Sequence, residues 1–276
     1  MAKDLILGTA TGAQFLAAAL PFAASARRQH PDADIVLLSD PEVPADLGRA
    51  MDRLGVRLWP VRCQAYDVDF HIQNRRFREY FRYLLEHSYR RVFLSDTRDA
   101  YFQGNVFSAF ASDGDWIAFF QETPGYKIGS EKFNRTWIHH IFGEETLRRM
   151  ADETVVCSGT TLGTGPAILE YLALMTTLEE THRALRAVPS DQGQHNYLIW
   201  KKLMRVPQFV FPQENPIVYT VFVDDAYRIT EQGDVLTTSG IRAAVLHQYD
   251  RAQDIALAYR ARILGELAGF GLVLAE

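Results

Sequence analysis

The sequence predicts an α/β fold in which a mostly parallel central sheet is flanked by helices, and three observations predict it. Short apolar runs alternate with longer helical patterns through the first half of the chain. One of those runs ends in the acidic stretch Asp96-Thr97-Arg98-Asp99. The 276 residues, 47% hydrophobic and 23% charged, suffice to bury one large core, so residues 1–276 read as a single domain.

The run Leu5-Leu7, a helix reaching Arg28, the run Ile35-Leu38, a helix over Ala45-Leu54 and the run Val56-Val61 give the order β-α-β-α-β. Strands joined by crossover helices lie parallel, and the right-handed crossover puts the helices on the sheet faces. Ligands in such sheets bind beyond the strand carboxyl ends, where Thr9-Ala10-Thr11 and Ser39-Asp40 fall. Phe15 to Ala26 imitates a secretory signal with its cleavage site. Asp4 stands where a signal carries positive charge, and Leu5-Ile6-Leu7 reads as the first strand, so the expectation is strand plus helix. Pro21 kinks that helix or starts its second segment.

From Asn74 to His87 the spacing predicts a helix with Phe77, Phe81, Leu84 and Leu85 on its buried face. It leads into the buried strand Arg91-Leu94, which ends at the acidic stretch. A strand over Trp116-Phe120 ends at Gln121-Glu122, and helices follow at Asn134-Phe142 and Glu144-Met150. Thr154-Cys157 reads as a short strand, and Ser158 to Gly163 as a turn or as backbone approaching a ligand. The helix from Pro166 to about Ala187 turns Ile168, Leu172, Met175 and Leu178 inward. Asp191 reads as the N-cap of the next helix, with Gln194 in the capping-box position. Strands are expected at Gln208-Phe211, Val218-Phe222 and Ala243-Leu246, and an amphipathic helix over Arg251-Leu267.

Composition narrows the function. A net charge of −5 without a Lys/Arg stripe speaks against a nucleic-acid partner. Cys63 and Cys157 lack zinc-site spacing and are too few for a disulfide framework, so a reduced, cytoplasmic setting is expected. No apolar run approaches the roughly 20 residues of a membrane span.

Asp96 and Asp99 stand first among the candidate residues, because two carboxylates at one strand end repel unless a cation joins them. Hard oxygen ligands favour Mg²⁺ or Mn²⁺; His247, also at a strand end, favours Mn²⁺. The bland alternative is a capping Asp96 and a surface pair of Arg98 with Asp99. Asp191-Gln192-Gly193-Gln194-His195-Asn196 gathers polar side chains at a helix start, which suits sugar hydroxyls. Arg76 is a candidate for nucleotide or phosphate binding, against the alternative of a solvated face in Arg75-Arg76-Phe77-Arg78.

Taken together these residues resemble the GT-A glycosyltransferases, in the order found in the retaining enzymes of glycosyltransferase family 8 and their relatives. Arg91 to Phe107 resembles their strand, DxD motif and following "xxFQxxPF"; Cys157-Ser158-Gly159 with Gly163 resembles their (N/C)SG-x₃-G turn. Asp191-Gln192 with Asn196 resembles their DQ pair, and His247 their late metal-binding histidine. The chain departs from the pattern twice. Asp96 and Asp99 are separated by two residues instead of one, and Gln248-Tyr249-Asp250-Arg251 replaces the usual lysine-containing segment, with Arg251 as the substitute.

The resemblance implies a nucleotide-binding half over 1–107 and an acceptor-binding half with the C-terminal helix over 108–276. It implies transfer of a sugar, a hexose, from a nucleoside-diphosphate sugar, UDP-linked, with metal held by Asp96, Asp99 and His247. Thr9, Ala10, Thr11, Arg76, Asp96, Thr97, Ser158 and Gly159 would bind the donor. Gln192 would steady the developing positive sugar with retention of configuration, and Asp191 would bind donor hydroxyls. Glu122, at the end of the Trp116-Phe120 strand, is the alternative as a base or acceptor ligand, and as a general base at the anomeric carbon it would give inversion. The acceptor class stays open between glycan, lipid-linked sugar and protein, and through it the chain could sit at the inner membrane face. Two other readings share the sheet: a nucleotidyltransferase, and a sugar-nucleotide-binding protein without turnover. A dehydrogenase is disfavoured because Gly8-Thr9-Ala10-Thr11-Gly12 lacks the three-glycine fingerprint.

Overall fold

The structure is a computed structural model and describes residues 2–61, 71–182, 190–222 and 226–272. Cys63 and the expected helix end at Ala187 lie outside the described residues. The chain opens with β1 (Asp4–Thr9), α1 (Ala13–Ala18), α2 (Leu20–Gln29), β2 (Asp34–Ser39), α3 (Ala45–Arg53) and β3 (Val56–Pro60). There follow α4 (Ile72–Glu86), β4 (Arg91–Ser95), β5 (Ala100–Phe102), β6 (Ile117–Gln121), α5 (Lys132–Phe142), α6 (Glu144–Met150) and β7 (Val156–Thr164). The remainder is α7 (Gly165–Thr181), α8 (Asp191–Trp200), β8 (Gln208–Phe211), β9 (Val218–Thr220), β10 (Tyr227–Ile229), β11 (Val235–Thr237), β12 (Val245–His247) and α9 (Gln253–Gly269).

These elements group into two compact units, one of residues 1–62, 90–111 and 214–276, the other of residues 63–89 and 112–213. In the first unit the strands lie in the order β3-β2-β1-β4, all parallel. Leu5, Ile6 and Leu7 and the run Ile35 to Leu38 are buried, the continuous apolar run of a strand covered on both faces. The helix after β1 breaks at Ala19, and Pro21 is the second residue of α2, where its missing N–H costs no helical bond. Helix α9 packs on α2.

A second sheet in this unit has the order β5-β12-β9, with β5 antiparallel and β9 parallel to β12; β10 and β11 form a hairpin. Three-residue strands leave almost no period to read, and β5, β10 and β11 had no expectation in the sequence. Gln103, fully buried just past β5, ties these pieces together. Its amide donates to the carbonyls of Val235 and Ala243, each at 3.1 Å. Its oxygen accepts from the Val235 N–H and the Tyr259 hydroxyl, each at 2.7 Å. His30 does similar service, Nδ1 on the Ala26 carbonyl and Nε2 accepting from the Val106 N–H, both at 2.9 Å. Burial pushes its pKa down to about 4, so the ring stays neutral at neutral pH.

In the second unit β6 lies between β7, antiparallel, and β8, parallel. Helices α4 and α7 pack on each other, as do α5 and α8. Ile128, Ile138, Leu147, Met150 and Val155 form a cluster capped by Phe142, Tyr197 and Trp200. Three expectations are corrected here. The buried face of α4 is Phe77, Tyr80, Tyr83 and Leu84; Leu85 is exposed and Phe81 half-buried. Tyrosines serve as core because their polar tips are met, as where the Tyr83 and Tyr89 hydroxyls pair at 2.8 Å. Ser158 to Gly163 is not a turn but part of β7, nine residues buried almost throughout. Small side chains suit that crowded strand: a Cβ on Gly163 would stand 2.9 Å from the Trp116 carbonyl oxygen.

On α7 the position after Met175 on the buried stripe is Glu179, with Leu178 half-buried beside it. Glu179 is 2% exposed and neither carboxylate oxygen has a hydrogen-bond partner among the described residues. Burial holds this carboxyl well above the usual carboxylate range, offset in part by Arg78. A raised folded pKa means stability is lost as pH climbs past the ordinary glutamate value, where only the unfolded chain gives up its proton freely. Glu179→Gln is therefore expected to raise the melting temperature by a few degrees at pH 7 and to have little effect at pH 4, measured by thermal unfolding at the two pH values.

Candidate active site

In the first unit Asp96 follows β4 directly and Asp99 precedes β5 directly. His247 is the last residue of β12 and stands opposite Ala100 in the antiparallel ladder, which places the imidazole beside the carboxylate of Asp99. His247 Nε2 is 3.4 Å from Asp96 Oδ2 and 3.8 Å from Asp99 Oδ1, and one ligand atom from each residue falls within 4.8 Å of the others. Ligands about 2.1 Å from one ion lie about 3 Å apart when adjacent and about 4.2 Å apart when opposite, so the spacing suits a shared divalent cation. Two carboxylates and an imidazole are also a donor set able to hold a divalent cation. The side chains of Asp99 and His247 are 8% and 0% exposed and that of Asp96 is 30% exposed, so the Asp99 carboxylate is largely withdrawn from water beside a second carboxylate, where a cation offsets the repulsion.

The chain bends sharply to build this cluster. Gln248, just after His247, has a φ of 60°, a left-handed conformation costing a non-glycine residue about 1–3 kcal/mol. The bend leads into a 3₁₀ turn over Tyr249–Arg251, from which the Tyr249 N–H donates to the Asp99 carbonyl at 3.3 Å. Arg98 lies on the outer side, its Nη2 3.0 Å from Asp99 Oδ2 and 3.6 Å from Asp250 Oδ2.

Thr97 anchors the loop to β1. Its hydroxyl donates to the Thr9 carbonyl at 2.9 Å, and its methyl lies where a Cβ on Gly8 would come within 2.2 Å. At the end of β1 the Ala10 N–H donates to the Leu38 carbonyl at 2.8 Å, and Thr9 and Thr11 are half-buried. The Gly12 N–H, at a φ of 89°, donates to Asp40 Oδ2 at 2.5 Å.

The second unit holds a separate group. Asp191 is the first residue of α8 and not its N-cap, which is Ser190. The Asp191 carboxylate is taken by other partners: Arg76 Nη2 donates at 2.8 Å and Ser158 Oγ at 2.9 Å to the same oxygen, Oδ2. Arg76 also reaches the Ser158 carbonyl at 3.2 Å. With 13% of its side chain exposed, Arg76 is a member of this network and not a solvated face. Gln192 is half-buried, and its Oε1 accepts from the Ser158 N–H at 3.3 Å. Gly159 is buried in β7 and Glu122 is buried just past β6, where its N–H donates to the Val155 carbonyl at 2.9 Å.

Asn196 and His195, which the sequence places in the polar run after Asp191 without a separate role, act here as supports of this group. Asn196 grips the backbone of β7, accepting from the Val156 N–H at 2.8 Å and donating to the Val156 carbonyl at 2.9 Å. It donates to the Gln192 carbonyl as well, at 2.8 Å. One turn beyond Asp191 on α8, His195 Nδ1 meets the Tyr171 hydroxyl at 2.7 Å, both residues fully buried. Burial, with Arg76 adding to it, pushes His195 down to about 3, so the ring is neutral. A histidine four residues after a candidate carboxylate, with a tyrosine in the apolar run of α7, was the available signal.

No protein-family model and no curated protein matches the chain. Solved structures do. The galactosyltransferase LgtC in complex with donor and acceptor sugar analogues matches at 14% identity and a TM-score of 0.60, over 98% of this chain and 97% of that one. An active-site glutamine-to-glutamate mutant of LgtC matches at 15% identity with the same TM-score, over 99% and 97%. The chain has this fold over nearly its whole length, the GT-A α/β fold that the sequence predicts.

The close approach of Gly8 and Thr97 makes a specific expectation. Gly8→Ala should destabilise the chain by about 1–3 kcal/mol, since its methyl must displace that of Thr97. Adding Thr97→Ser removes the opposing methyl but keeps the hydroxyl for Thr9, and should recover most of the loss. Urea unfolding of the two single variants and the double variant gives the coupling.

Proposed function

We propose that the protein is a glycosyltransferase that moves a sugar from a nucleoside-diphosphate sugar, a UDP-hexose, to a sugar-bearing acceptor with the help of a divalent metal ion. The observation that carries the reading is the meeting of Asp96, Asp99 and His247 at cation-binding distances in a chain with the LgtC fold. LgtC was captured with donor and acceptor sugar analogues, and its active site contains a glutamine. Both facts support assigning donor chemistry to the polar strand and helix ends described above.

Asp96, Asp99 and His247 would hold Mn²⁺ or Mg²⁺. When bound, the ion supplies positive charge against the diphosphate that leaves the sugar. Thr9, Ala10, Thr11 and Thr97, at the carboxyl ends of β1 and β4, are assigned to the nucleotide. In the second unit Asp191 has only one oxygen, Oδ2, in the network with Arg76 and Ser158, and its other oxygen is assigned to donor hydroxyls. Arg76 brings positive charge for the donor phosphates, and Ser158 and Gly159 line the same group. Gln192, an amide with its oxygen already oriented by the Ser158 N–H, is assigned to the sugar as positive charge develops on it. A neutral amide beside that carbon suits a reaction that retains configuration. Glu122 is assigned to the acceptor, as ligand or base.

Among the described residues no helix is long and apolar enough to cross a membrane.

Thermal unfolding with nucleoside diphosphates tests the donor assignment. UDP with Mn²⁺ should stabilise the wild-type chain, by about 2.7 kcal/mol at 100 times its dissociation constant, and UDP alone far less. Asp99→Asn should abolish the manganese-dependent part and leave the unliganded chain folded; an undiminished shift in that variant refutes the metal assignment. Gln192→Ala should lower kcat by about 100-fold or more while changing donor affinity little. Equal losses in both would make it a plain binding residue.

A further inference from the structure

The charges around Asp99 do not balance with a metal ion and a diphosphate alone. Asp96, Asp99 and Asp250 bring three negative charges, and Arg98 is the cation in contact with two of them. With the imidazole neutral, as a ligand must be, the cluster carries two net negative charges, which one divalent ion cancels. A nucleoside diphosphate then arrives with charge of its own still to be met. Arg251, the substitute for the usual lysine, has its guanidinium over the Phe222 ring, 5.9 Å from the centroid. Arg98 touches the cluster itself.

The geometry of Arg98 suits a double role. Its contacts to Asp99 and Asp250 both run through one nitrogen, Nη2. A guanidinium has five N–H donors in a fixed fork, so the rest of the fork remains for a ligand. The side chain is 55% exposed although the carboxylate that it grips is 8% exposed. Asp99 is thereby divided between two partners, with Oδ1 toward His247 and Oδ2 toward Arg98. One carboxylate can serve a metal ion on one oxygen and keep a guanidinium at a fixed distance on the other.

We propose that Arg98 is a second cationic group for the donor diphosphate, moored by Asp99 and Asp250 and donating to a phosphate oxygen from its exposed edge. The inference rests on the metal-site reading above and deepens it. It also gives a reason for the two-residue spacing between Asp96 and Asp99: the additional residue is the arginine.

Two opposite effects of one substitution test it. A cation next to a metal site repels the incoming ion but attracts the incoming diphosphate. Arg98→Ala should therefore bind Mn²⁺ alone more tightly, by roughly three- to tenfold, read from the electron paramagnetic resonance signal of free Mn²⁺. At saturating Mn²⁺ the same variant should bind UDP roughly tenfold more weakly by calorimetry, and Arg98→Lys should fall between, keeping the charge without the fork. Weaker Mn²⁺ binding in Arg98→Ala, or unchanged UDP affinity, would overturn the proposal and reduce Arg98 to a prop for Asp99. If wild-type protein bound no Mn²⁺ at all, the metal-site reading itself would fall and the role of Arg98 with it. Wild-type Mn²⁺ binding without UDP binding would overturn the diphosphate role and leave the metal site standing.

Discussion

Asp96 and Asp99 repel one another, and an imidazole has no reason of its own to join them; strand pairing brings the three together. The ladder between β5 and β12 sets His247 opposite Ala100, and that single register brings the ring to the acidic loop. A one-residue slip would turn His247 to the other face of the sheet. Much of the surrounding structure secures that register. Gln103 ties the far end of β5 to β11 and α9, and β9 flanks β12 on its other edge. At the near end, strained Gln248 sends the chain back so that the Tyr249 N–H reaches the Asp99 carbonyl. Backbone strain of this kind persists only where surrounding contacts over-determine it.

The other polar group is organised around a buried ion pair. Removing Arg76 and Asp191 from water is costly, and the pair is tolerable because Ser158 supplies further bonds and because Asp191 begins a helix, whose amino-terminal dipole favours an anion. Behind it, Asn196 and the neutral pair Tyr171 and His195 hold α8 to its neighbours without adding charge. A network this committed has little freedom to rearrange, which suits the donor-binding role proposed for it.

Much of the fold was legible because parallel strands buried on both faces read as plain apolar runs: Leu5-Leu7, Ile35-Leu38 and Arg91-Leu94 all fall inside observed strands. What failed to show has physical reasons. Strands of three residues such as β5 and β10 have no measurable period. β7 resembled a turn because its crowded environment selects serine, glycine and threonine. Glu179 sits where a stripe of apolar residues would continue, and no rule of patterning anticipates an acid there. For the site, the acidic loop and the late histidine stood at strand ends in the sequence, and the structure adds their meeting, which depends on a non-local ladder. Asp191 was misread as a helix cap because capping and ion pairing draw on the same side chain at nearly the same place.

The first unit is assembled from three stretches of chain, with the other unit's residues between them. During synthesis Asp96 and Asp99 emerge early and wait for His247, which arrives only with the last stretch. Until then β5 has no partner in β12, and its exposed edge and adjacent acidic loop are left to solvent or to chaperones. The cluster of Asp96, Asp99 and His247 is thus among the last features of the protein to form. Any truncation that stops short of β12 would release a chain with its acidic loop but without the imidazole that completes it.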